Sequence, residues 1–192
     1  MKKFLALAVI CCAMAQAKMF VGVDGGFTFD GSASNGKTNA SIYNSNYDGR
    51  FDSHGWDVDI VFGAESFAGD YFGARAFLDL GYFNGLNHNR NSIDITGNAD
   101  VMINFLKSGS FTWGVFGGLG IGYKYSFAYG NFDNGQGYAP FFGRTGMSFG
   151  IGGNSRIDLT VRLPIMGWKV HGNNGSGVSA PLDFQVGYKF LF

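Results

Sequence analysis

The sequence predicts an all-β fold, namely an eight-stranded antiparallel up-and-down transmembrane β-barrel. Three observations predict this fold. After residue 17, no apolar run approaches the roughly 20 residues that a membrane helix needs. Eight later segments alternate apolar and polar residues, and their charged residues all fall on one face. The 17% aromatic content with 32 glycines is also atypical of disordered chains and of compact α/β enzymes.

The first 17 residues have the pattern of a cleavable signal peptide. Lys2 and Lys3 precede an apolar run over residues 4–14, and Ala15-Gln16-Ala17 supplies small residues at the two positions that a signal peptidase reads. We therefore expect export, cleavage after Ala17, and a barrel domain over residues 18–192. Both cysteines lie within this leader and neither follows a small residue, so we expect neither lipidation nor disulfides nor thiol-ligated metals.

The eight alternating segments have the length that membrane strands need, which is about 9 to 11 residues or more. In the seventh segment, Leu159, Val161 and Leu163 alternate with polar residues of the opposite face. The segments cover residues 19–29, 55–65, 71–83, 93–106, 111–125, 138–152, 157–165 and 182–192. Each is expected to turn its apolar face to lipid and its polar face to the interior.

The positions of the charged residues support this orientation. They are a partly independent check, because we define each face by its apolar members alone. A Lys or Arg on the lipid face at mid-bilayer costs about 2 to 4 kcal/mol, so a membrane barrel keeps that face uncharged. Arg156 and thirteen further residues fall on the opposite face. The thirteen predicted barrel-core charges are Asp24, Asp57, Asp59, Arg75, Asp79, Asp94, Asp100, Lys124, Arg144, Asp158, Arg162, Asp183 and Lys189.

The predicted interior is acidic on the first four strands, apart from Arg75, and mainly basic on the last four. Opposite charges that face each other across a narrow lumen are expected to pair, because an unpaired buried charge is costly. Eight strands leave room only for side chains, and Phe77, Phe116 and Phe142 are expected to fill it beside Arg144, with glycines of the fifth strand making space. We expect a packed interior. The alternative is a narrow gated pore.

The connections alternate in length, as they do in bacterial barrels. Long polar connections are predicted at 30–54, 84–92, 126–137 and 167–180, and short ones at 66–70, 107–110 and 153–155. The long ones are expected outside the cell and the short ones in the periplasm. Asp133-Asn134-Gly135 is predicted to be a turn. Aromatic girdles are expected at both boundaries, with Trp56, Tyr82, Tyr123, Tyr125 and Trp168 outside and Phe72, Phe111, Trp113, Phe149, Phe190 and Phe192 inside.

The last strand carries the most specific resemblance to a known family. Phe184, Val186, Tyr188, Phe190 and Phe192 resemble the C-terminal targeting strand that the barrel assembly machinery recognises. Over residues 19–192 the chain resembles the small eight-stranded outer-membrane barrels that include the OmpA transmembrane domain, OmpX and the opacity proteins. The resemblance implies the outer membrane of a Gram-negative bacterium, with its lipid, lipopolysaccharide and the assembly machinery as partners.

No catalytic or metal-binding pattern stands out. His54, His88 and His171 are scattered, and the His-x-Ser pair of the lipid A deacylase barrels is missing. We therefore expect a monomeric, non-enzymatic surface protein that binds neither cofactor, metal nor nucleic acid. Its role is structural, adhesive or both, with Tyr43 and Tyr47 in the connection 31–50 as candidate contacts with a host or surface ligand. The alternatives are a lipid A acyl hydrolase or transferase and a soluble periplasmic β-protein.

Overall fold

The computed structural model describes residues 17–32, 39–41, 53–86, 90–128, 131–171 and 179–192. These residues form nine strands, and no helix among them is long and apolar enough to cross a membrane. The strands are β1 (Lys18–Ser32), β2 (Asn39–Ser41), β3 (Ser53–Ala68), β4 (Phe72–Gly85), β5 (Arg90–Ser108), β6 (Phe111–Ala128), β7 (Asn131–Ile151), β8 (Ser155–His171) and β9 (Ser179–Leu191). Residues 1–16 of the expected leader, and Tyr43 and Tyr47, lie outside the described residues.

The strands pair antiparallel in chain order, and the last strand closes the sheet on the first. β1 pairs with β3 and β9, and β8 pairs with β7 and β9. The predicted fold class is therefore confirmed, because β1 and the seven strands from β3 to β9 form a closed eight-stranded up-and-down barrel. The register between β8 and β9 ends at Arg162 opposite Asp183, and beyond it the short β2 pairs with β8 near Gly167.

Short glycine turns join the strands at one end of the barrel. Gly69, Gly109, Gly152 and Gly153 have φ angles of 73°, 58°, 67° and 79°, a region that side chains disfavour. The same end holds the start of β1 and the end of β9, where the Phe192 amide donates to the Met19 carbonyl over 2.9 Å. The three predicted short connections are therefore tight turns at this end, which we call the turn end.

At the opposite end, the outer end, the strands extend into the segments predicted as long connections. β6 continues to Ala128 and β7 begins at Asn131, so Asp133-Asn134-Gly135 lies in a strand and the predicted turn is wrong. Likewise, β4 and β5 continue to Gly85 and from Arg90, and β8 continues to His171. Strands of up to 21 residues are longer than the span of a bilayer, so they extend beyond the hydrocarbon. Outside the hydrocarbon neither face of a strand needs to be apolar. The alternation of apolar and polar residues therefore does not predict these extensions.

Burial alternates along the strands as a barrel requires. In β4, every second side chain from Arg75 to Phe83 is buried, and the residues between them are exposed. An apolar cluster of Phe20, Val61, Phe77 and Leu191 lies inside the barrel. Between β7 and β8 the register shifts at Phe141/Phe142, opposite Pro164. This irregularity accommodates a residue that cannot donate a backbone hydrogen bond.

Candidate functional site

The inward faces of all eight barrel strands carry the charged residues, so the interior is the candidate site. Twelve of the thirteen predicted core charges are buried, and Asp94 is half-buried near the outer end. Period two explains this placement, because a charge two residues from another inward residue must also face inward. No outward-facing residue in the middle of the described strands is charged.

Arg75 forms the centre of the interior network. Its Nε lies 2.7 Å from Asp100 Oδ2 on the neighbouring strand, and its Nη1 lies 2.5 Å from Asp158 Oδ2 across the lumen. Lys189 Nζ joins the same group, at 3.0 Å from Asp158 Oδ2 and 2.9 Å from Asp24 Oδ1. All of these side chains are at most 1% exposed. The five charges therefore form one buried cluster that ties β1 and β9 to β4, β5 and β8.

Two more arginines extend this cluster toward the outer end. Arg144 contacts Asp100 over 3.4 Å and Asp79 over 3.7 Å. Arg162 lies 3.8 Å from Asp79, and it also pairs with Asp59 at 2.5 Å and with Asp183 at 3.0 Å. Thr96 and Asn98 donate to Asp79, and Gln185 donates to Asp59. The predicted pairing of acidic and basic halves thus appears as arginines of β7 and β8 that reach carboxylates of β3, β4 and β5.

Toward the turn end the network continues through Arg156, which the sequence predicts to face inward, to Glu65, which the sequence reasoning missed. Ser148 donates to Asp158 over 2.6 Å and accepts from Arg156, whose Nη2 lies 2.6 Å from Glu65 Oε1. Glu65 is 4% exposed and follows Asp57 and Asp59 at period two, so the pattern that located those two residues also applies to it. Phe20 was missed for a similar reason, because it lies one step before the assigned inward residues of β1.

Aromatic rings and glycines surround the charged cluster inside the barrel: the rings contact the guanidinium groups, and a glycine leaves room for a carboxylate. The Arg75 guanidinium lies 4.3 Å from the ring centroid of Phe116, and that of Arg144 lies 4.6 Å from Phe77. Rings so placed attract cations and exclude water. On β6, a Cβ at Gly118 would come within 2.2 Å of Asp100 Oδ1, so only glycine leaves room for this carboxylate.

The interior contacts form an unbroken path along the barrel, from Asp59 near the outer end to Glu65 at the turn end. The path runs through Arg162, Asp79, Arg144, Asp100, Arg75, Asp158, Ser148 and Arg156, and no step exceeds 3.8 Å. Its central side chains are fully buried. Salt-bridged side chains therefore fill the cross-section of the barrel at this level.

A polar cavity lies at each end of this filled layer. The outer cavity has a volume of about 20 Å³ and is lined by Asp57, Asp94, Lys124 and Asp183 among others. That volume suits a single water molecule. The cavity at the turn end has a volume of about 240 Å³ and is lined by Lys18, Lys107 and Arg156 together with Glu65 and Asp70. Lys107 pairs with Asp70 at its rim.

The two described histidines lie at the outer end of the barrel, far from Glu65. His54 and Glu65 lie at opposite ends of β3, eleven residues or about 37 Å apart along the strand. His171 is exposed at the end of β8, and His88 lies outside the described residues. Among the residues that the structure describes, no group of three or more histidine and carboxylate side chains is placed to hold a metal ion.

The outward surface carries the predicted assembly signal and the girdle residues. Phe184, Val186, Tyr188, Phe190 and Phe192 are between 46% and 62% exposed. Near the outer end Trp56 contacts Tyr82, with ring centroids 5.9 Å apart, and near the turn end Trp113 contacts Phe105 at 6.0 Å. Large aromatic side chains therefore lie toward both ends of the apolar belt.

Comparison with known proteins identifies similar structures but no sequence relative. No family model matches the chain, and no curated protein matches it.

The crystal structure of Neisserial surface protein A is similar, with a TM-score of 0.56 and 14% identity over 92% of this chain and 99% of that one. A major outer membrane protein from Thermus thermophilus aligns over 92% of this chain and 99% of its own, with 13% identity and a TM-score of 0.46. Ail, the attachment invasion locus protein of Yersinia pestis, aligns over 89% and 98% of the two chains, with 9% identity and a TM-score of 0.41. The closed strand order and the likeness to Neisserial surface protein A together show that the chain has the fold of the small eight-stranded outer-membrane β-barrels.

Proposed function

We propose that this chain is exported to the outer membrane, where it acts without catalysis as a structural barrel and surface protein. The observation that carries this proposal is the inverted polarity of the barrel. Charges fill the interior and pair there, whereas the outward belt is apolar and uncharged through its middle. A soluble β-protein needs the opposite arrangement, with its apolar face inside. Neisserial surface protein A, which shares the fold, is a surface protein by name.

Cell fractionation tests the location. The proposal predicts recovery in the outer-membrane fraction, a gel mobility that changes on heating, and an N-terminal sequence that starts at Lys18. Recovery in the soluble fraction with unchanged mobility would refute it.

The outer connections are the proposed contact surface, because the barrel interior is occupied by its own ion pairs. Tyr43 and Tyr47 in the connection 31–50 combine aromatic anchors with a polar, adaptable setting. The test replaces both tyrosines with serine and measures the binding of intact cells to host cells and to abiotic surfaces. Binding should fall while the amount of barrel at the surface stays constant. Unchanged binding would remove these residues from the proposal.

The proposal also excludes a reaction on lipid A. His54 lies about 37 Å along β3 from Glu65, so these two residues cannot act together as a base and its orienting carboxylate. Mass spectrometry of lipid A from a deletion strain should show the acyl pattern of the parent strain. A changed pattern that the intact gene restores would establish an enzyme.

A further inference from the structure

The outer cavity has more carboxylates than cations in its lining. Residues of all eight barrel strands line this space, which has a volume of about 20 Å³. Its charged lining consists of two basic residues and four aspartates, namely Lys124, Arg162, Asp57, Asp59, Asp94 and Asp183. When all six groups are ionised, two negative charges remain uncompensated at the cavity. Such an excess is costly away from bulk water, so a further positive group is expected there.

Arg162 compensates only one side of these carboxylates. Its Nη2 lies 2.5 Å from Asp59 Oδ2, and its Nε lies 3.0 Å from Asp183 Oδ2. Asp183 is only 4% exposed, yet its Oδ1 has no hydrogen-bond partner within the described part of the chain. The same is true of the enclosed Oδ1 of Asp94. Two carboxylates that line the cavity therefore each have an enclosed oxygen without a hydrogen-bond donor.

Asp59 and Asp94 converge over a glycine of the strand between them. Gly81 of β4 lies directly opposite Asp59 of β3 and Asp94 of β5. The position that a Cβ would take on Gly81 lies 2.6 Å from Asp59 Oδ1 and 2.7 and 2.8 Å from the two oxygens of Asp94. Only a residue without a Cβ leaves room for both carboxylates here. Carboxylates that converge in this way repel each other unless a cation or a shared proton lies between them.

The arrangement fits a calcium ion better than a proton or a magnesium ion. A single shared proton would remove only one of the two excess negative charges, whereas a divalent cation removes both. Calcium binds oxygen ligands at about 2.3 to 2.6 Å, often both oxygens of one carboxylate, whereas magnesium requires a compact octahedron at about 2.0 to 2.1 Å. Asp94 turns both of its oxygens toward the point above Gly81. Thr28 and Thr96, whose hydroxyls are further oxygen ligands, line the same cavity.

We propose that the outer cavity binds one calcium ion between the carboxylates of Asp59 and Asp94, on the lumen side of Gly81. Water and threonine hydroxyls complete its ligands, and its two charges neutralise the excess of the cavity lining. The site has two carboxylate ligands, fewer than the groups of three by which metal centres are usually recognised, and it departs from the sequence-based expectation of no metal. The inference goes beyond the proposed function and does not depend on it, because the barrel itself forms the cavity.

The test titrates calcium into the purified barrel in detergent after treatment with EDTA, and calorimetry measures the binding. Asp94→Asn removes the charge of one ligand at nearly constant shape, and Gly81→Ala places a methyl group where the two carboxylates converge. Asp70→Asn is the matched control, because it removes the same charge from a roughly half-exposed side chain at the turn end. Heat-dependent gel mobility confirms that each protein is folded.

Wild type and Asp70→Asn should each bind one calcium ion, with a Kd of about 10⁻⁴ to 10⁻³ M. Asp94→Asn and Gly81→Ala should bind calcium at least about tenfold more weakly, and wild type should prefer calcium to magnesium by about the same factor. Equal calcium affinity of Asp94→Asn and Asp70→Asn would overturn the inference, as would equal affinity of wild type for the two metals. Absence of calcium binding by folded wild type would also overturn it and would favour the shared proton. Each result leaves the proposed function intact, because cell fractionation and cell binding test that separately.

Discussion

At the scale of single residues, the barrel keeps many charges away from water and relies on their pairing. Arg75 contacts two carboxylates on different strands and two phenylalanine rings. A buried ion pair adds little net stability when it is complete, but removing one partner leaves an uncompensated charge in a medium of low dielectric. The interior network therefore makes the fold sensitive to the loss of single arginines.

Arg75→Met should lower the free energy of unfolding by about 3 to 5 kcal/mol, because Asp100 and Asp158 both lose a partner. Lys107→Met is the matched control, since its pair with Asp70 is roughly half exposed and exposed pairs contribute about 0 to 1 kcal/mol. Urea titration in lipid vesicles, followed by gel mobility, measures both variants. Equal losses for the two variants would contradict the network described above.

At the scale of strands, the sequence determines which face of each strand points inward but not how far each strand extends. Alternation located the inward face of β8 through Asp158 and Arg162 because lipid and lumen impose opposite polarity within the bilayer. That constraint ends at the boundary, so the outer part of β7 carried no periodic signal. Which residues pair across the lumen, such as Arg156 with Glu65, depends on strand tilt and register. The two-residue alternation of the sequence does not predict either of these.

The outer part of β7 provides a test at this scale. Residues 131–137 pair with β6 through Ala128, Ser126 and Tyr125, although their sequence resembles a turn. Their backbone amides should exchange with solvent hydrogen more slowly than those of an unstructured peptide, because strand hydrogen bonds must open first. Hydrogen exchange followed by mass spectrometry of the folded barrel in detergent measures this. If the amides of residues 131–137 exchange at the rate of an unstructured peptide, the strand is contradicted and the predicted turn is supported.

At the scale of the whole molecule, the lumen of the barrel is filled by the protein's own side chains. The path of contacts from Asp59 to Glu65 crosses the lumen, and its central members are fully buried. The polar cavities lie at the two ends of this layer and differ in volume, at about 20 and 240 Å³. These features argue against transport through the lumen.

Conductance measurements test the filled interior. The purified protein in a planar bilayer should produce no stable conductance steps, because the side chains of the salt-bridged layer in the described part of the barrel are fully buried. Replacing Arg75 and Arg144 with alanine together provides the positive control, since it opens space in that layer. Stable steps from the wild-type protein would establish the gated pore.

The central claim is that the apolar face of each strand meets lipid and the charged face points inward. Residues 18–192 contain no cysteine, so single cysteines can be introduced along β8 from Ile157 to Leu163 and labelled with a fluorophore in vesicles. A lipid-soluble quencher should act with period two, strongly at Ile157, Leu159, Val161 and Leu163 and weakly at Asp158, Thr160 and Arg162. Quenching in the opposite phase, or without a period, would contradict the barrel orientation described above.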